Sequence, residues 1–187
     1  MACTALTKGR GLDCNRISGG IKYIYFAVYD DVTSIPVTSG EITDIEMGSN
    51  DLYRYTTPLG VANLSETITG SRENGTIFYT PTVNVILNRL TKEDQNQIKL
   101  LGQTRVIVFA QLNQQLTNGH DVIVGLGITN GLELNAGTID SGAEFADRNG
   151  YTLTFDGMEP EPFAMEADYT TTPFDNTAFT INSIVTS

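Results

Sequence analysis

The 187-residue sequence has no tryptophan, one histidine and two cysteines. Cys3 and Cys14 lie far from His120, and this set lacks the closely spaced ligand pairs of a zinc site. With one histidine and no G-x-S-x-G segment, the chain also lacks the nucleophile and base of a serine hydrolase. We therefore expect no metal, no cofactor and no enzymatic activity, and we expect His120 to be a solvated residue in its turn.

Long apolar runs and nucleotide-binding loops are also missing. No window approaches the roughly 18 consecutive apolar residues of a membrane-spanning helix. The first residues lack the apolar centre of a secretory signal, so we expect a cytosolic origin, reduced thiols and no membrane partner. The glycines at 125–127 and 137–142 match neither phosphate-loop pattern, so nucleotide binding is not predicted.

Basic residues are scarce and unevenly placed. The net charge is -11, but residues 1–22 carry +3 and residues 106–187 carry -10. A basic head and an acidic body suit head-to-tail association of copies. A solubilising surface with an incidentally basic terminus explains the same charges. The candidate contact residues of the basic head are Lys8, Arg10, Arg16 and Lys22.

The best-defined stretch is residues 76–113. TIFYTPTVNVILNRL and RVIVFAQLN are rich in β-branched and aromatic residues, whereas TKEDQNQIKLLGQT has helix formers and an apolar stripe. Thr91 is suited to cap the helix, and Gly102 follows its last apolar pair. The sequence therefore predicts a mainly β protein, an antiparallel sandwich or barrel, with one short helix at about 91–103 covering the outer face of a sheet.

The domain organisation predicted from these patterns is an extended arm at 1–20 and one β-sandwich domain at 21–187, ending in a strand at 177–185. The tyrosines that alternate along KYIYFAVYD form either an interface or an ordinary amphipathic strand face. Residues 48–75 are polar and predict a long projecting hairpin, with strands at 51–57 and 62–69, or else a mobile surface loop. The candidate contact residues of this projecting segment are Tyr53, Arg54, Tyr55, Leu59 and Arg72.

Three segments resemble the tail tube proteins of long-tailed bacteriophages. They are TPTVNVILNRLTKEDQNQIKLLGQTRVIVFAQLN, VGLGITNGLELNAGT and DRNGYTLTFDGMEPEP, and they lie within residues 80–162, a stretch that covers a little under half of the chain. The resemblance implies a virion protein, assembled in the host bacterial cytoplasm, whose hexameric rings stack into a tube for DNA. It implies as partners other copies of the chain, other tail proteins and DNA in transient, non-specific passage.

Under this resemblance the basic arm and the 48–75 segment contact neighbouring rings, and the acidic excess lines a lumen that repels phosphate. The candidate lumen-facing residues, chosen as polar positions on the long strands, are Asn84, Asn88, Gln111 and Asn113.

Two other kinds of protein remain open at this point. A tail terminator, a head-tail connector or neck protein, or a head-decorating protein would share a β-sandwich and an arm. A carbohydrate-binding or adhesin module of the β-sandwich class would use the polar loops and tyrosines. The absence of tryptophan disfavours this second class.

Overall fold

The computed structural model describes residues 8–11, 18–58 and 60–186. Within these residues the protein is mainly β, with one α-helix, and no helix is long and apolar enough to cross a membrane. The elements are β1 (Ile21–Val28), a 3-10 turn (Tyr29–Asp31), β2 (Val37–Thr38), β3 (Glu41–Ile42), β4 (Leu52–Thr56), β5 (Asn63–Ser71), β6 (Thr76–Asn88), α1 (Lys92–Leu101), β7 (Val106–Gln115), β8 (Asp121–Leu126), β9 (Glu133–Asp140), β10 (Gly150–Asp156), β11 (Ala164–Glu166) and β12 (Ile184–Thr186).

Two sheets face each other across a first hydrophobic core. The large sheet has eight strands in the order β12-β4-β1-β7-β8-β11-β3-β2, and the small sheet has four in the order β5-β6-β10-β9. Alternate residues of β1, β7 and β8 meet alternate residues of β6 and β10, and the rings of Phe26 and Phe155 are 4.9 Å apart. The predicted β-sandwich class with one short helix is confirmed.

A second core lies on the outer face of the large sheet. Tyr25, Ile107 and Phe109 are buried there beneath the segments that precede β4 and follow β10. The ring of Phe174 packs edge-on against Tyr25 at 4.9 Å and against Phe109 at 5.5 Å. The chain itself therefore covers the middle of the tyrosine face of β1, and this face is not left for a neighbour.

Helix α1 has the predicted cap and position. The Thr91 hydroxyl accepts a hydrogen bond from the Asp94 N–H (3.0 Å), and the Gly102 N–H donates to the Ile98 carbonyl (2.9 Å). Ile98 and Leu101 pack against the first core. The helix thus closes one side of the sandwich, and the prediction that it covers an outer face is wrong because the second core already occupies that face.

The predicted hairpin within residues 48–75 is wrong. β4 pairs with β1, whereas β5 pairs with β6, so the two strands belong to different sheets. Leu52 is buried in the second core and Ala62 in the first, and these anchors hold the two strands apart. The predicted strand at 177–185 reduces to β12, with a separate bridge from Thr180 to Glu46.

Candidate assembly surfaces

The β5–β6 hairpin projects beyond the rest of the small sheet. β10 ends at Asp156, which is paired with Thr82, but β5 and β6 stay paired as far as Ser71 and Thr76. One contact steadies the base of the hairpin, since Tyr79 and Glu159 exchange two backbone hydrogen bonds of 2.8 Å. The chain therefore has a projecting hairpin, but β5 and β6 form it.

The edges of the two sheets differ in length. The large sheet ends in β12 and β2, of three and two residues, whereas the small sheet ends in β5 and β9, of nine and eight residues. Short edge strands protect a sheet from adding strands of another chain, and long exposed ones invite it. Most residues of β5 and β9 are exposed. Among the described residues no strand pairs with the outer side of β5 or β9, so the small sheet is open to strand addition at both edges.

The outward face of the small sheet, which we call the polar face, consists mainly of threonine, serine and asparagine. The Asn84 side chain hydrogen-bonds those of Asn63 (3.2 Å) and Thr154 (2.8 Å) on the neighbouring strands, and Asn135 donates to Asp156. None of the four strands contains lysine or arginine. Arg148, from the β9–β10 loop, reaches this face and donates a hydrogen bond to the Thr152 hydroxyl (2.6 Å).

The inward face of the small sheet is wider than the core that covers it. Val83 and Leu153 on this face are buried, but three isoleucines that follow the same alternation are exposed. These are Ile68 in β5 (64% exposed), Ile77 in β6 (59%) and Ile139 in β9 (58%). Apolar side chains thus continue past the body of the subunit at both edges of the sheet and along the hairpin.

A cleft of about 480 Å³ lies between the two sheets near β11 and is lined by three glutamates. Glu159 is buried and accepts hydrogen bonds from the Thr129 and Asn130 N–H groups (3.1 and 2.9 Å). Glu66 accepts one from the Phe163 N–H (3.0 Å), and burial raises its pKa. These two carboxylates therefore hold backbone segments in place.

The histidine is also part of a local contact. His120 Nδ1 lies 2.7 Å from Asp168 Oδ1, and the imidazole stacks on Tyr169 at 4.4 Å. The sequence predicted a solvated His120, but the side chain is paired with Asp168 and stacked on Tyr169. Among the described residues, no three histidine, cysteine, aspartate or glutamate side chains come together in a way that could hold a metal ion.

The long edges, the polar face and the exposed isoleucines all belong to the small sheet. No family model, curated protein or solved structure matches this chain. Function is therefore inferred from the geometry of this sheet together with the resemblance in the sequence.

The structure separates the four candidate lumen residues. Asn84 and Asn88 share the outward side of β6. Gln111 lies in the large sheet and is only 4% exposed; it accepts a hydrogen bond from the Tyr25 hydroxyl (2.8 Å) and donates to Asp121 (2.6 Å). Asn113, on the same strand, donates to the Gly19 carbonyl (3.0 Å). The prediction that Gln111 and Asn113 lie with Asn84 on one lumen-facing surface is therefore wrong.

Lys22 belongs to the domain rather than to an arm. Its Nζ lies 2.7 Å from a carboxylate oxygen of Asp121, and this hydrogen bond raises the pKa of Lys22. Burial opposes the charge on Asp121, but hydrogen bonds from Lys22 and Gln111 hold its pKa below the usual value. The prediction that Lys22 is a contact residue of the basic arm is therefore wrong. Lys8 and Arg10 are exposed and stay predictions, whereas Arg16 lies outside the described residues.

The residues predicted on a projecting segment lie mostly within the large sheet. Tyr53, Arg54 and Tyr55 are in β4, where Arg54 stacks over the Tyr23 ring at 4.9 Å. Their assignment to a projecting hairpin is therefore wrong. Arg72 does lie at the tip of the β5–β6 hairpin. Leu59 is outside the described residues.

Sequence reasoning missed the three exposed isoleucines and the two open edges. The alternation in NLSETITGS and in TIFYTPTV was a usable signal, because it places isoleucine on the same side as the core residues. Exposure of that side beyond the core depends on where β10 and β9 end, and only the three-dimensional pairing shows it.

Proposed function

We propose that the chain is a tail tube subunit, a virion structural protein of a long-tailed bacteriophage. Its copies assemble edge to edge through the small sheet into a ring, and the rings stack into a channel for DNA. The observation that carries the proposal is the small sheet itself, with two long open edges and a polar face whose strands lack basic residues.

Strand direction permits this closure. Each neighbouring pair in the small sheet is antiparallel, so the two edge strands, β5 and β9, run in opposite directions. Pairing β9 of one copy with β5 of the next continues the antiparallel order without interruption. A ring of any number of copies can therefore close as one sheet, which removes every open edge.

The stagger of the sheet also fits a closed barrel. One row of paired residues crosses it at Glu133, Asp156, Thr82 and Ser65; β9 extends to one side of this row and most of β5 to the other. The midpoints of the edges are therefore offset by about five residues, or roughly 16 Å. Each copy contributes four strands and so four interstrand spacings of about 4.8 Å. If β9 pairs fully with β5 of the next copy, the offset of roughly 16 Å over these spacings tilts the strands by about 40° from the barrel axis. Closed barrels typically have tilts of about 35–45°.

A hexameric ring, the size that the resemblance implies, would contain roughly 24 strands and measure about 48 Å across between backbones. The inward face packs on the large sheet, so the polar face lines the channel, with Asn84 and Asn88 on it. Hydroxyl, amide and carboxylate groups offer phosphate few attractive contacts, because affinity for the DNA backbone comes mainly from lysine and arginine. Such a lining lets DNA pass without adhering.

The proposal is tested by blocking one edge. Along an antiparallel strand, successive residues direct their N–H groups alternately to the two neighbouring strands. The Arg89 N–H donates to the Asn149 carbonyl (2.7 Å), and this bond fixes which residues of β10 face β6 and which face β9. It follows that the N–H of Thr138 points to β10 and that of Ile139 points to the open edge. Ile139→Pro therefore removes only an outward donor, a position where an edge strand accepts proline. Ile139→Thr keeps the donor and loses a similar apolar area, so it is the matched control.

Purified protein is examined by electron microscopy and by light scattering after size exclusion. We expect rings or tubes for the unmodified chain and for Ile139→Thr, and folded monomers for Ile139→Pro. A chain that stays strictly monomeric at high concentration, above all one that binds a glycan, would refute the proposed function. Normal rings from Ile139→Pro would refute pairing through the β9 edge.

A further inference from the structure

We infer that the exposed apolar side of the β5–β6 hairpin packs against the C-terminal end of helix α1 of the next copy in the ring. The contact joins Ile68 and Ile77 of one copy to Leu100 of another. This inference rests on the proposed edge-to-edge ring and names a second contact within it, on the outer side of the barrel wall.

The C-terminal end of α1 lies beside the first residues of β9. A Cβ placed on Gly102, the residue that ends the helix, would lie 3.9 Å from the Leu134 side chain of β9. Val106, at the start of β7, exchanges two backbone hydrogen bonds with Leu132 (2.7 and 2.8 Å). The end of the helix therefore lies on the inward side of the small sheet, next to the edge that receives the neighbouring β5.

This end of the helix offers an apolar receiving surface. Leu100 is 56% exposed although Leu101, beside it, packs into the first core. A cleft of about 130 Å³ opens between the helix and strands β1 and β4, lined by Leu100, Leu101, Val28 and Tyr53 among others. The cleft and Leu100 together form a surface that nothing in the described chain covers.

The stagger between edges brings the hairpin to this surface. Paired residues must face the same side of a sheet, so full pairing of β5 along β9 needs an even offset, of about four or six residues. An offset of about four places Ile68 of the next copy level with Leu134. Ile68 points to the inward side, because it alternates with Leu64, which packs against the first core. It therefore faces the side of β9 where α1 lies, and Ile77, one strand further on, lies on the same side.

A second copy is the occupant that the geometry favours. The strand pairing that closes the ring also brings the two exposed apolar surfaces together, and each would otherwise face water. Burial of exposed isoleucine and leucine side chains stabilises an interface in proportion to the apolar area removed from water. Head-to-tail contacts of this kind join different surfaces of identical subunits, as a ring requires.

The test is cross-linking in a Cys3→Ser, Cys14→Ser background. Ile68→Cys and Leu100→Cys are combined, rings are assembled, and a short bismaleimide is added before denaturing electrophoresis. We expect a ladder of covalent multimers up to the full ring. Ile68→Cys with Leu116→Cys is the matched control, because Leu116 is 41% exposed at the opposite end of β7, and we expect no ladder from it.

An independent measurement is the lowest protein concentration that gives rings. Leu100→Asp should raise this concentration at least about tenfold, whereas Leu116→Asp should leave it unchanged. Circular dichroism and the melting temperature of the monomer show that each variant is folded.

The outcomes separate the two proposals. Rings without a ladder from the Ile68 and Leu100 pair, and with no effect of Leu100→Asp, would overturn the hairpin contact and leave the tube function standing. Cross-links from Ile68→Cys alone would show that hairpins meet each other instead, which also overturns it. Failure of the unmodified chain to form rings would overturn the proposed function itself.

Discussion

Replacing Glu166 with glutamine should stabilise the subunit at high pH and leave it unchanged at low pH. Glu166 is largely buried in β11, and burial raises its pKa from 4.5 to about 8. The Phe174 N–H donates to one carboxylate oxygen (3.1 Å) and favours the charge, whereas Asp175 and Asp168 disfavour it. The other carboxylate oxygen is buried and has no hydrogen-bond partner among the described residues.

The direction in which stability changes with pH follows from proton binding to Glu166. Between the ordinary and the raised pKa, the folded state keeps a proton that the unfolded chain releases. The stability from this group is therefore fully present below about pH 4.5 and is lost as the pH rises through about 8. The full shift corresponds to roughly 5 kcal/mol, an upper bound, since water entry around the charged form relieves part of the cost.

Glutamine cannot ionise, and its carbonyl oxygen can still accept the Phe174 N–H. We expect Glu166→Gln to equal the unmodified chain at about pH 4 and to exceed it by at least about 2 kcal/mol at pH 9, or roughly 4–8 °C in melting temperature. Thermal and urea unfolding of monomers at both pH values measure this difference. Glu161→Gln, at an exposed position, makes the same charge change and is the control.

An equal gain from Glu161→Gln at pH 9 would show that lower net charge, and not burial of Glu166, is responsible. A Glu166→Gln variant that is no more stable than the unmodified chain at pH 9 would refute the reasoning.

Three further predictions concern the fold and the arm. Gly150→Ala places a Cβ 2.0 Å from the Leu87 carbonyl oxygen, so it should lower the free energy of unfolding by about 3 kcal/mol or more in urea titrations, and a neutral effect would contradict the close approach of β10 and β6. Thr91→Ala removes the cap on the Asp94 N–H and should cost about 1 kcal/mol in the same assay; a loss below the error of the titration would contradict the capping role. Deletion of residues 1–19 should leave a folded monomer but weaken stacking of rings, most at low salt, and unchanged tubes by electron microscopy would show that the basic arm is not a stacking contact.

Helix α1 was predictable because its signals are local. Thr91, the acidic first turn and Gly102 act within a few residues of one another, and each favours the same boundaries. The long strand β6 was predictable for the same reason, since its alternation and β-branched residues need no distant partner to be recognised.

The assignment of strands to sheets was not predictable in this way. β4 and β5 are close in sequence and look alike, but the burial of Leu52 and Ala62 in different cores sends them to different sheets. Gln111 and Asn84 show the same limit for the site. Both are amides on long strands, yet only the partners across the fold, Tyr25 and Asp121 for Gln111, determine which one is buried.

The charge of the polar face has a consequence for the ions inside a channel. Its strands contribute the acids Glu133, Asp140 and Asp156, against Arg148 from the loop, so each copy adds a net negative charge. In the proposed tube, a channel built from such copies would hold an excess of cations before any DNA enters. A duplex passing through it would keep its own condensed counterions, because few protein cations are present to replace them. Friction on the moving DNA should then depend only weakly on salt concentration.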